Sequence, residues 1–422
     1  MTVIGVDDTD SRTDGLCTTF VAARISERLV DAGASVERRL LIRCNPAVEH
    51  KTRGNAALAV HTDADTDLAF EVLADELEAA QTADPATNPG GIVAPGSATD
   101  VPRSVADFTD AAIRTQLDIE RARSLATEIG YETIAVGNGR GLIGALAAIG
   151  AWRAGDEWTY ECIAYRERER WGTTRDVDLD SIHTASNTAY PAAWDTIDAA
   201  SGHPVCVPRT PCPVLHAIRG DDRVAVERVS REIGGEPVAR RATFVTNQGT
   251  DAHLQVVDST AAVRDGECFR LTAEISRGPR TRAGGHVHLT VADGDGALEC
   301  VAFEPTKRFR NRVRGLREGD IVTVCGEVGD GTLKLEKFAL RDPIRVEHVN
   351  PSCPQCDRSM ASAGADQGYR CRDCGTAAQE PVEIDLDRDL EPGWYEVPPV
   401  ARRHVAKPLI RGGFDATTHP ER

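Results

Sequence analysis

Lysine is scarce in this chain: of 49 basic residues only five are lysine, at positions 51, 307, 334, 337 and 407, and arginine supplies the rest. Positive charge is also in deficit, since 66 acidic residues leave a net charge of −17. An acidic total argues weakly against nucleic-acid binding, which is usually read from basic patches. Acid surplus with little lysine suits concentrated salt, where charges are screened within about 3 Å at molar ionic strength. It reads as a halophile's solubility device and says little about partners. No apolar run approaches the ~20 residues of a membrane span, so no membrane partner is expected. No basic segment followed by an apolar core opens the chain, so no signal peptide is in view and a cytoplasmic location is expected. Twelve cysteines are present, eight scattered and four clustered. That pattern suits a metal site in a reducing compartment rather than a disulfide framework. A length of 422 residues predicts about three domains, or four if some are small.

What the chain does have is a concentration of carboxylates near its start. Residues 2–6 form an apolar run that reads as a buried strand. Val21, Ile25 and Leu29 recur at helical spacing, with Gly33 as the stop. The stretch between, Gly5-Val6-Asp7-Asp8-Thr9-Asp10 through Asp14 to Thr18-Thr19, is a strand-to-helix loop, a place where ligands bind in α/β sheets. Carboxylates this crowded repel one another unless a cation sits among them, and hard oxygen ligands suit Mg²⁺, with Asp7 and Asp8 as its first ligands and Asp10 beside them. Thr18 falls where a hydroxyl caps free amides or faces a phosphate. A solvated turn with a capping threonine accounts for the same residues.

A second loop, residues 45–55, lies between predicted strands 36–44 and 56–60. Its Lys51 and Arg53 would counter phosphate charge, unless they are surface cations on a turn. Residues 84–91, rich in proline and glycine, read as structured turns or as a linker. After a short strand at 133–136 comes Gly137-Asn138-Gly139-Arg140-Gly141-Leu142-Ile143-Gly144, followed by a helical run at 145–152. Glycine amides at a helix start suit a phosphate. The spacing is neither a Walker A loop nor a dinucleotide fingerprint, and a tight turn with close helix packing explains it equally. Trp194 beside Asp195 and Asp198 would suit a cationic substrate, or a loop capped by Asp195. Residues 213–219, 223–233 and 238–245 read as strand, helix and strand, ending in a polar run that contains Asn247 and Asp251 and could read a base edge or cap a strand end.

From residue 267 to 340 the style changes to five strand-like runs with a short helix, 306–313, between the third and fourth. Asp295-Gly296 and Asp330-Gly331 mark hairpins. This order fits an OB-fold, a common oligonucleotide binder. The helix carries Arg308, Arg310 and Arg312 within a basic block suited to phosphates, or to a solvated face. Cys353-Pro354-Gln355-Cys356 and Cys371-Arg372-Asp373-Cys374 have the spacing of a four-thiolate zinc ribbon, which leaves no open coordination position.

Taken together, GVDDTDS…GLCTT at 5–19, NP…KTRGNAA at 45–57, GNGRGLIGALAAIG at 137–150, PCPVL…IRG at 211–220, TNQGTDAH at 246–253, the OB-like region and the ribbon resemble the archaeal TiaS family, tRNA(Ile) 2-agmatinylcytidine synthetases, essentially end to end. The resemblance implies a multidomain α/β and α+β chain. Residues 1–200 would be a kinase-like catalytic domain, 201–260 ferredoxin-like, 261–345 the OB-fold β-barrel, 346–380 the zinc ribbon and 381–422 a basic C-terminal tail. It implies ATP, Mg²⁺ and structural Zn²⁺, and as partners agmatine and the CAU-anticodon isoleucine tRNA. A kinase-like step would phosphorylate the C2 oxygen of the wobble cytidine and agmatine would displace the phosphate. A threonine at the place of Thr18 would itself be phosphorylated during the cycle. Lys51, Arg53 and the 137–141 backbone would then hold phosphates. A non-catalytic RNA-binding protein and a small-molecule kinase or ligase are the alternatives.

Overall fold

The structure, a computed structural model, describes residues 1–11, 15–49, 54–80, 84–365 and 367–422. Its N-terminal part is built on β1 (Thr2–Asp7), α1 (Thr18–Asp31), β2 (Val36–Arg43), β3 (Ala56–Thr62), α2 (Thr66–Ala79), β4 (Gly90–Pro95), α3 (Arg103–Arg114), α4 (Ile119–Ile129), β5 (Glu132–Ala135) and α5 (Gly141–Ala154). It continues through β6 (Thr159–Arg166), α6 (Leu179–Ala189), β7 (Ala193–Trp194), the small hairpin β8 (Ile197–Asp198) and β9 (His203–Pro204), β10 (Val214–Gly220), α7 (Arg223–Glu232), β11 (Val238–Thr246) and β12 (Leu254–Val256). One nine-stranded sheet runs through it in the order β5-β4-β1-β3-β2-β11-β6-β10-β7. Neighbours are antiparallel except at a parallel seam, where Leu40 and Leu41 of β2 pair with Val245 and Thr246 of β11.

The seam separates two halves. In the second, α7 crosses from β10 to β11 and β6 lies between those strands, antiparallel to both, as in a ferredoxin-like unit. The strand–helix–strand reading of 213–245 therefore holds locally. Strands β6 and β7, which precede residue 201 in the chain, lie in the same half of the sheet as β10 and β11. Strand pairing across the sheet made that assignment, and no local pattern carries it.

The first half is buried on both faces, so both alternating side-chain sets of its strands are apolar. Val3, Leu40, Ile42, Ala57, Ala59 and Ile92 pack with α3 and α5. Ile4, Val6, Leu41, Leu58, Val60 and Val93 pack with α1 and α2. Helix α5 lies so close to β1 that a Cβ on Gly5 would come within 2.2 Å of the Ala145 carbonyl oxygen. This approach brings the start of α5 against the end of β1.

Downstream, β13 (Cys268–Thr281), β14 (Val287–Ala292), β15 (Ala297–Ala302), β16 (Ile321–Gly329) and β17 (Thr332–Asp342) close a five-stranded barrel. β13 pairs with β14 and β16, β14 with β15, and β17 with both β15 and β16. Helix α8 (Arg308–Arg314) precedes β16 and sets Phe309 and Val313 into the barrel core, the predicted OB arrangement. β18 (Val346–Val349) and β22 (Val382–Asp385) pair to frame the ribbon, whose strands are β19 (Ala361–Ser362), β20 (Tyr369–Arg370) and β21 (Ala377–Ala378).

The expected basic tail is instead folded. β23 (Gly393–Glu396) extends the barrel along β17, and β24 (Thr418–His419) pairs with β23. Trp394, Val397, Val405, Ala406 and Leu409 are buried. These apolar residues come singly between prolines and arginines, without a period that sequence reading can use.

Candidate active site

The loop after β1 turns sharply at Asp8, which holds φ +57°. The turn sends successive carboxylates to different tasks. Asp10 accepts from the Thr18 amide and, at 2.9 Å, from the Thr18 hydroxyl, so it caps α1 and holds Thr18 at once. The Thr9 hydroxyl donates to Thr18 Oγ1 at 3.1 Å. Asp8 Oδ2 accepts from the Asn88 amide at 3.2 Å and from the Arg140 guanidinium at 3.0 and 2.7 Å. Burial pushes the Asp8 carboxyl up to about 6, against the lowering pull of Arg140. Asp7 is driven well above the usual carboxylate range, by burial first and then by the charge of Asp8. Carboxylates crowded and desolvated in this way gain from a bound divalent cation.

Asp7, Asp8, Asp10, Thr18, Asn138 and Arg140 line one cavity of about 690 Å³, within the ordinary range for small-molecule sites. Its other wall is largely apolar, with Cys44, Val48, Ala112, Leu117, Ile119 and Ile143, and suits a flat heteroaromatic ring. Thr115, Gln116 and Asp118, in the connection from α3 to α4, edge that wall.

The glycine-rich loop stands beside the Asp loop as its pairing in sequence suggested, but its amides face inward. Asn138 N donates to Asn88 Oδ1 at 3.0 Å, Gly139 N to Val136 O at 3.1 Å, Arg140 N to Asn138 Oδ1 at 2.9 Å and Gly141 N to Asn88 O at 3.0 Å. Of the Gly137, Asn138, Gly139, Arg140 and Gly141 backbone read as a phosphate cradle, the amides of the last four are thus already bonded within the protein. The segment is a tight turn, and its contribution to the cavity is the Arg140 guanidinium and the Asn138 edge. Gly137, at φ +63°, leaves room for Asn88, whose Oδ1 would lie 2.4 Å from a Cβ there. Asn88 thus ties the two loops together. It sits in the segment that sequence reading left between turn and linker, and an Asn before Pro-Gly-Gly was the only hint. Lys51, Arg53 and Asp14 lie outside the described residues.

The residues read as a cationic-substrate site are consumed internally. Trp194 is buried, Asp195 is paired with Arg402 and approached by Arg219 at 3.9 Å, and Asp198 accepts from Arg308 at 3.1 and 3.2 Å. Asn247 bonds the backbone of Arg43 at 2.8 and 3.0 Å, which pins the sheet seam. Asp251 binds Lys337 at 2.7 Å. The basic patch on α8 is partly spent: Arg308 also meets Glu421 and Arg310 meets Glu304 at 3.2 Å, whereas Arg312 keeps its charge 5.7 Å from the Tyr395 ring. Every partner is distant in sequence or on another element, and this hid the pairing.

The four thiols of Cys353, Cys356, Cys371 and Cys374 gather within 4.8 Å of one another. Zn–S bonds of about 2.3 Å require sulfur separations of about 3.8 Å, so the set fits a tetrahedral zinc ion.

Four family models match the chain: the TiaS TCKD domain at residues 3–64, the TiaS FLD domain at 139–253, an OB-fold nucleic acid binding domain at 269–336 and the TiaS C-terminal zinc ribbon domain at 350–390. A TiaS from Haloquadratum walsbyi, a 2-agmatinylcytidine synthetase of the second isoleucine tRNA, is 49% identical over all of both chains. The TiaS synthetase of Methanosarcina acetivorans is 42% identical over 97% of each. The crystal structure of a TiaS in complex with that isoleucine tRNA and ATP superposes with a TM-score of 0.89 at 38% identity, covering 100% of this chain and 99% of the other. That of a TiaS complex with the same tRNA, AMPCPP and agmatine gives 0.86 at 36% identity with the same coverage.

Proposed function

The chain belongs to the TiaS family, and from that premise we propose that it is an ATP-dependent ligase joining agmatine to C2 of the wobble cytidine in the CAU-anticodon isoleucine tRNA. The observation that carries this reading is end-to-end identity with the synthetases in a chain whose Asp loop and Thr18 converge on one cavity. The 2-agmatinylcytidine formed pairs with A, so the codon AUA is read.

The chemistry follows from the leaving group. Exchanging a pyrimidine carbonyl oxygen for an amine requires that oxygen to depart, and it does so poorly until it carries a phosphoryl group from ATP. The agmatine amine then bonds to C2, the C–O bond breaks, phosphate leaves with its electron pair, and the nitrogen loses a proton. Asp7, Asp8 and Asp10 would hold Mg²⁺, which supplies charge neutralisation for the polyphosphate. Thr18 would act as a phosphoryl acceptor: its hydroxyl donates to Asp10 at 2.9 Å, which supports Asp10 taking the proton as Oγ1 bonds to the terminal phosphorus of ATP and the P–O bond to the departing nucleotide breaks. Arg140, whose Nε and Nη2 hold Asp8, would add positive charge beside the phosphate oxygens. Lys51 and Arg53 join the phosphate-binding set by resemblance. The wobble base must leave its stack to react, which a single-stranded loop permits at low cost. The barrel and ribbon hold the tRNA body, and the reaction runs in the cytoplasm, where the ribbon thiols stay reduced for zinc.

The test is an incubation in high salt with ATP, agmatine and the CAU-anticodon isoleucine tRNA, followed by mass spectrometry of the nucleosides. A cytidine heavier by agmatine minus water, dependent on all three substrates, is expected. ATP turnover without tRNA modification would point instead to a small-molecule kinase or ligase.

A further inference from the structure

A second pocket, of about 240 Å³, opens on the other side of α1 and belongs to none of the groups described above. Leu16, Phe20, Arg24, Arg168, Trp171 and Arg240 contribute to its walls. The Phe20 and Trp171 rings meet edge to face, 5.0 Å apart at 87°, and both are only half-buried. Each ring has a guanidinium beside it: Arg240 lies 4.9 Å from the Phe20 centroid and Arg168 lies 6.0 Å from that of Trp171. Arg168 is exposed and has no carboxylate partner among the described residues. Arg240 Nη1 forms an ion pair with Glu27 at 2.8 Å, and its buried Nε has no hydrogen-bond acceptor among the described residues.

We propose that this pocket takes an unstacked nucleotide of the tRNA anticodon loop, its base against Phe20 and Trp171 and its phosphate on Arg168. Partly exposed aromatic rings with guanidinium groups near their faces are the composition of a sequence-tolerant base platform, and Trp171, with the exposed Arg168 more loosely placed at 6.0 Å, is its open member. The unpaired cation here is Arg168, in a chain of net charge −17, and it suits the phosphate of a polyanion. The position is also apt. Phe20 follows Thr18 by two residues on one helix, and at about 100° per residue the two point to opposite sides of its first turn. A strand whose wobble base enters the Asp cavity carries its neighbours past this helix end. A free nucleotide fits less well, because Glu76, the carboxylate here, is bound to Arg24 at 2.7 and 2.8 Å. Stacking also keeps its strength in concentrated salt, where phosphate contacts weaken.

This inference rests on tRNA being the substrate, so the test measures both. Trp171→Ala, Trp171→Phe and Arg168→Glu are compared with the parent protein for the KM of tRNA and of ATP in product formation, and for the Kd of an isolated anticodon stem–loop RNA. Loss of a stacked base should raise the tRNA KM and the stem–loop Kd about five- to hundredfold in Trp171→Ala. The ATP KM should stay unchanged, and Trp171→Phe should restore most of the affinity. Arg168→Glu, on an exposed side chain that cannot upset the core, should raise both tRNA constants and flatten their salt dependence. It decides the matter if Trp171→Ala misfolds by circular dichroism. Unchanged tRNA constants in both variants would overturn the pocket, and so would a shift confined to ATP. If the parent protein makes no product, the ligase reading fails, and the stem–loop Kd values still decide the pocket.

Discussion

Asp8 combines a left-handed backbone with a carboxyl that burial holds at about 6, well above its ordinary 3.8. A group raised in this way stabilises the fold at pH values below its unfolded pKa, and that contribution is lost as pH rises through about 6. The magnesium-free protein should therefore gain stability on acidification from pH 7.5 to 5, and Asp8→Asn should flatten the trend. In EDTA at pH 8 the variant should be the more stable protein by about 1–3 kcal/mol, since two pKa units at ~1.36 kcal/mol each are relieved and part is returned with the Arg140 pair. Urea titrations across pH measure this. The same variant should lose product formation while tRNA binding stays within several-fold. Thr18→Val separates chemistry from folding more sharply. The valine amide still caps onto Asp10, so stability should fall by only about 1 kcal/mol, whereas turnover should stop. Full activity would remove Thr18 from the mechanism.

At the scale of elements, the site depends on how closely α5 approaches β1. A Cβ on Gly144 would meet Asp7 Oδ2 at 1.9 Å, and one on Gly141 would meet the Asp7 carbonyl oxygen at 2.7 Å. Gly144→Ala gains about 1 kcal/mol of helix propensity and displaces Asp7. We expect near-parental thermal stability with product formation reduced more than tenfold; retained activity would show that Asp7 tolerates displacement. The sequence made the two loops legible as a pair because each is local: apolar strand, polar or glycine-rich turn, helix. It did not make their bonding legible. The amides of 138 and 141 are satisfied by Asn88, some fifty residues earlier, which turns a plausible phosphate cradle into a packing turn. The same holds for Arg308, whose partner Asp198 lies 110 residues away. Charge patterns read along a chain show which residues are ionic, and only the fold shows which of them are already paired.

At the scale of the whole molecule, the ribbon and barrel were readable because thiolate spacing and hairpin turns are local signatures, whereas the folded C-terminal segment around β23 and β24, a strap across the barrel, has none. Arg402, on that strap, is the joint. Its guanidinium, 2% exposed, reaches Asp195 of the nine-stranded sheet and, at 2.8 Å, Glu396 of the strand added to the barrel. Burial already lifts Glu396 to about 7, against the pull of Arg402. Arg402→Met would leave buried Glu396 without its cation and Asp195 with only Arg219 at 3.9 Å, a loss of about 3–5 kcal/mol. The sign with pH follows from Glu396. Raised in the fold, and raised further without the guanidinium, it favours folding while protonated and opposes it as pH climbs past 7. The loss should accordingly be larger at pH 8 than at pH 5.5. Adding Glu396→Gln should recover part of it, because a neutral amide needs no counter-charge. Because the joint links barrel to sheet, the single urea transition expected of the parent protein should split in Arg402→Met, with the barrel and sheet unfolding at different midpoints. A change below about 1 kcal/mol at pH 8, with one transition preserved, would mean that the apolar strap contacts alone hold the two bodies together.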